Sequence, residues 1–150
     1  MIAICSNFTQ ALLSELKKIT RLLYGTELVE LYDGRFENEP ESANVGKLMF
    51  FVDTTTIELI QPNLNSDELD IPELEVYINL IVANRTLVNP SQKEPHLADI
   101  LLNVLYALKR VKFFDTRLKR VGRIDTLVKA DSYAVMRLGD LVFNLNNRMA

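Results

Sequence analysis

The chain has 150 residues, of which 48% are apolar and 25% charged, with a formal net charge of −3 at neutral pH. That length and apolar content suit one packed core, so residues 1–150 are expected to form a single domain. No run approaches the roughly 18 uninterrupted apolar residues that a bilayer crossing requires, and the single cysteine, Cys5, excludes an internal disulfide or a thiolate cluster.

The first residues, Met1 to Cys5, carry no basic lead, which sets them apart from a secretory signal and leads to the expectation of a cytosolic protein. From 7 to 24, Phe8, Leu12, Leu16, Ile19 and Leu23 recur every three or four positions. This spacing predicts a surface helix with one buried stripe, Ser6 or Asn7 as its cap and Gly25 as its left-handed end. The period then falls to two over 28–32, predicting a short strand that stops at the turn pair Asp33-Gly34. Residues 35–46 are acidic and poor in apolar side chains, the composition of an exposed, mobile loop.

Leu48, Phe50 and Val52 share one face of a second strand, and Ile57 and Leu59 resume in the opposite phase, so a bulge or bend is expected near Asp53. Residues 61–71 form a second polar loop with Asp67, Glu68 and Asp70. Leu74, Val76, Ile78, Leu80 and Val82 make the clearest alternation in the chain and predict the central strand. After the break at Asn89-Pro90-Ser91, the residues Leu97, Ile100, Leu101, Val104, Leu105, Leu108 and Val111 predict the main helix packed on the sheet. A hairpin of 118–128 and 133–145 closes the chain, with Gly122 and Gly139 marking bulges or close backbone approach. The predicted fold class is α+β, a mostly antiparallel sheet of about five strands against two amphipathic helices.

Chemistry is sparse. His96, the only histidine, falls at the start of the second long helix without an evident partner for general base work. No glycine-rich phosphate loop is present, and the acids around Asp67, Glu68, Asp70 and Glu73 lack the glycine and terminal glutamate of a calcium loop. The reading is therefore a protein that is not an enzyme, with no catalytic, metal or cofactor residues.

Charge is divided along the chain. Between Glu27 and Glu75 thirteen carboxylates meet only Arg35 and Lys47, a net of −11, whereas from Lys109 to Lys129 eight cations meet Asp115 and Asp125, a net of +6. An acidic surface formed by Glu37, Glu39, Glu41, Asp67, Glu68 and Asp70 could meet, on a second copy, a basic surface of Lys109, Arg110, Lys112, Arg117, Lys119, Arg120 and Arg123. Such a head-to-tail contact closes into a ring where the rotation permits. The same basic segment, 109–123, could instead serve a small nucleic-acid-binding module, whose affinity would fall steeply with salt; against this, the domain as a whole is acidic.

The N-terminal amphipathic helix, the segment Leu31-Tyr32-Asp33-Gly34-Arg35-Phe36 with its acidic loop, and the closing Tyr133, Val135, Leu141, Phe143 and Leu145 pattern resemble phage tail-terminator proteins of the Mu gp37-like family, from contractile-tailed phages and prophages. The resemblance implies a non-enzymatic virion protein that forms a homo-oligomer, a hexameric ring. Such a ring would end growth of tail tube and sheath and offer a docking face to the neck, first in the host cytoplasm and then in the virion tail. Another head-completion or neck connector protein would share this topology. No position gains a definite role from the resemblance.

Overall fold

A computed structural model describes residues 3–38, 48–60, 73–85, 93–112, 116, 118–129 and 133–145. The elements run α1 (Ile4–Tyr24), β1 (Val29–Leu31), α2 (Arg35–Asn38), β2 (Met49–Ile60), β3 (Glu73–Arg85), α3 (Lys93–Arg110), β4 (Leu118–Arg120), β5 (Ile124–Lys129) and β6 (Tyr133–Leu145). The class is α+β as expected, with six strands and three helices among the described residues in place of about five and two.

The sheet order is β1-β2-β3-β6-β4, with β5 also on β6, and every pairing is antiparallel except β1 with β2. Parallel neighbours need a crossover rather than a tight turn, and α2 lies on that connection. β3 is central, as its alternation predicts: Leu74, Val76, Ile78, Leu80 and Val82 all face the main core.

Both long helices cover that one face. α1 contributes Ile4, Phe8, Leu12, Leu16 and Ile19, and α3 contributes Leu97, Ile100, Leu101, Val104, Leu105 and Leu108. The Phe8 ring meets Phe143 of β6 at 5.2 Å and Tyr24 meets Phe50 of β2 at 6.5 Å, so α1 lies across the sheet. Asn103 Nδ2 donates to the Tyr24 hydroxyl at 3.0 Å and ties α3 to α1. No described helix is long and apolar enough to cross a membrane.

Several sequence expectations are corrected. Ser6 and Asn7 do not cap α1; they lie within it, and the helix starts one turn earlier from Ala3 without a side-chain cap. The buried stripe extends back to Ile4, and burying that side chain outweighs the capping bond. Gly25 does end the helix at φ 68°, its N–H reaching the Arg21 carbonyl. Leu28 and Tyr32 fall outside the three-residue β1. The strand expected over 118–128 is two short strands, because Gly122 N–H donates to the Gly139 carbonyl at 3.1 Å and Gly139 N–H to the Arg123 carbonyl at 2.9 Å. Those bonds replace ladder pairing where the two backbones approach most closely.

The largest correction concerns 35–46. Residues 35–38 form a helical turn whose Phe36 is 1% exposed. Local chemistry builds it: Asp33 Oδ1 accepts from the Arg35 N–H at 3.0 Å, and the Gly34 carbonyl accepts from the Glu37 and Asn38 N–H groups. Gly34 sits at φ 80°, a conformation that favours glycine. Phe36 then fills a second, smaller core on the other sheet face with Phe51, Ile81, Ala83, Tyr133 and Val135. Residues 39–46 and the loop expected over 61–71 lie outside the described residues.

The bulge in β2 is present, one step past Asp53. The register slips between Thr54 and Thr56, which returns Ile57 and Leu59 to the face of Phe50 and Val52, opposite Val76 and Leu74.

Candidate assembly surfaces

The seven cations predicted to form one surface are distributed over three places. Lys109 and Arg110 end α3 and, with Lys112, line a cleft of about 290 Å³ whose apolar wall is Val111 and Leu118. Cations at this end also complement the helix dipole. Lys119 and Arg120 stand on β4. Lys119 Nζ bonds the Glu75 carboxylate, which pushes the ammonium pKa up, and the Arg120 guanidinium lies 5.9 Å from the Tyr77 ring centroid. The Tyr77 hydroxyl donates to Glu58 Oε2 at 3.1 Å. Arg123 is exposed between β4 and β5, and Arg117 lies outside the described residues.

Of the six predicted acidic positions, only Glu37 is described; Glu39, Glu41, Asp67, Glu68 and Asp70 fall outside the described residues. Glu37 is exposed on α2, over the sheet face opposite the long helices. There its charge and, more strongly, burial push the half-buried Asp53 carboxyl up, while Arg137 opposes both. Arg137 itself forms a fork with Asp125, Nε to Oδ1 at 3.2 Å and Nη2 to Oδ2 at 2.8 Å, which holds the Asp125 carboxyl low. The Asn79 side chain, nearly buried beside them, accepts the Asp140 N–H at 3.2 Å. Asp140 has φ 57° within the bulge where β6 slips against β3.

His96 is exposed in the first turn of α3, and Cys5 is half-buried against the main core. Among the described residues no three His, Cys, Asp or Glu side chains are grouped to hold a metal ion.

The feature that sequence reasoning missed is the far half of β2. β1 pairs only with Phe50, Phe51 and Val52. Beyond Val52, no described strand lies along the outer edge of β2. The helix layer stops short of the same region, leaving Ile57 49% and Leu59 57% exposed although both point to the helix side of the sheet. An alternating apolar pattern is the usual mark of a half-buried strand and carries no sign of this exposure. Leu22, 85% exposed, and the α3 pair Leu102 and Tyr106 are further exposed apolar side chains.

In chemical terms the described residues supply a strand edge with exposed apolar side chains and no described strand along it, a cationic cleft at the other sheet edge, and charged pairs between. Comparison of the chain with protein-family models and with curated proteins finds no match.

Proposed function

We propose that this chain is a non-enzymatic structural protein that associates with copies of itself head to tail into a ring. In this reading it acts as a phage tail terminator: a hexamer that caps tail tube and sheath and presents a face to the neck. The observation that carries the reading is the far half of β2, along whose outer edge no described strand lies and where Ile57 and Leu59 are exposed, at the sheet edge away from the cations of α3 and β4. Unlike surfaces on opposite edges of one rigid sheet favour heterologous contact, which closes as a ring where the rotation permits. An unpaired, apolar strand edge is a liability that native proteins normally cover.

Size exclusion with light scattering at low and high salt tests this. A species of ring mass that weakens with salt is expected, since contacts between exposed charges are screened. A monomer at every concentration and salt would overturn it. The cleft lined by Lys109, Arg110 and Lys112 favours one second reading, nucleic-acid binding through these cations. It predicts DNA affinity that falls steeply with salt in a chain that remains monomeric.

A further inference from the structure

Resting on the ring reading, we propose a specific joint: the outer edge of β2 from Thr56 to Ile60 pairs antiparallel with the outer edge of β4 in a second copy, so that the sheets continue from subunit to subunit. The register supports it. Ile57 lies opposite Val76, Val76 opposite Phe143, and Phe143 opposite Leu118. One row further on, Thr56, Tyr77, Val142 and Arg120 are likewise aligned. This stretch of β2 and the strand β4 therefore stand at the same level on opposite sides of the described sheet. Because β2, β3, β6 and β4 alternate in direction, β4 of one copy and β2 of an equally oriented neighbour run antiparallel, the pairing that needs no change in either strand.

Side chains match on both faces. On the helix side, Ile57 and Leu59 would enter the cleft beside β4 against its apolar wall of Val111 and Leu118, a cleft that Lys109, Arg110 and Lys112 also line. On the other side, the Glu58 carboxylate of the arriving strand would meet Lys119 and Arg120. Main-chain bonds would supply affinity and the alternate side chains specificity, as in other cases of strand addition. The occupant is a second copy of this chain, chosen because both halves of the joint are present on one molecule with opposite charge.

The test is a cross-link within one row. Thr56 and Arg120 are separated by three strand steps in a single copy, about 14 Å at the usual strand spacing, whereas in the joint they are neighbours. Thr56→Cys and Arg120→Cys are combined in a Cys5→Ala background and treated with a bis-maleimide shorter than that separation. The expected result is a ladder of covalent multimers ending at the ring mass, with neither single variant giving one and with melting temperatures near that of the parent. Rings seen by light scattering without a ladder would overturn the joint while leaving the ring reading standing. A covalent dimer from Thr56→Cys alone would overturn it in favour of a two-fold contact between β2 edges. A monomer throughout would remove both.

Discussion

Replacing Phe36 with alanine is expected to destabilise the fold by about 3 kcal/mol. The side chain is 1% exposed, and its ring lies 5.4 Å from Phe51, 5.9 Å from Tyr32 and 6.1 Å from Tyr133. Core phenylalanine truncations remove about 3–5 kcal/mol through lost transfer energy and the cavity left behind. The low end applies because this satellite core has only six buried members and a short helix above it that can collapse inward. With a urea slope of about 2 kcal/mol per molar, the midpoint should fall by about 1.5 M at unchanged slope. Leu22→Ala, at a side chain 85% exposed, is the control and should change stability by no more than about 0.5 kcal/mol. If Phe36→Ala behaved like that control, residues 35–38 would be a solvated loop and the second core would not exist.

Other substitutions test separate parts of the structure. Gly122→Ala should cost about 1–3 kcal/mol by overpacking, because the added methyl would press on the Gly139 carbonyl and stand 2.9 Å from Asp140 Cβ. Gly139→Ala would meet Asn79 Oδ1 at 3.4 Å, an ordinary contact, so calorimetry should show the smaller drop in melting temperature there. Asp53→Asn should stabilise the protein at neutral pH: with its folded pKa raised by burial and then by Glu37, the ionised carboxylate disfavours the folded state above that pKa. The gain should vanish as pH falls through the ordinary aspartate range, where both states are protonated; a gain independent of pH would refute the assignment. Asp125→Asn has the opposite sign. Its pKa is lowered by the Arg137 fork, so the native residue stabilises above the ordinary aspartate range and loses this contribution as pH falls through the depressed value. Ile57→Lys should leave the urea midpoint nearly unchanged, since the side chain is half exposed, yet shift light scattering toward monomer.

Local signals carried much of this fold. The stripe of α1, the glycine at its end, the alternation of β3 and the change of phase after Asp53 each depend on residues near in sequence. Backbone conformation and side-chain period are set over that range. Phe36 marks where such reasoning stopped. One aromatic residue among acids has no periodicity, and its burial follows from Phe51, Ile81 and Tyr133, which only the folded sheet brings under it.

The candidate surfaces divide in the same way. Composition alone separated an acidic half from a basic stretch at 109–123, because charge is a property of residues and not of their neighbours. Tertiary structure decided which charges meet: Lys119 is engaged by Glu75 and Arg120 lies over Tyr77, while Lys109, Arg110 and Lys112 border a cleft. It also decided that Ile57 and Leu59, apolar members of an alternating strand, stand exposed. Alternation fixes the side of the sheet to which a side chain points, whereas the reach of the helices and the length of β1 determine whether anything covers it there.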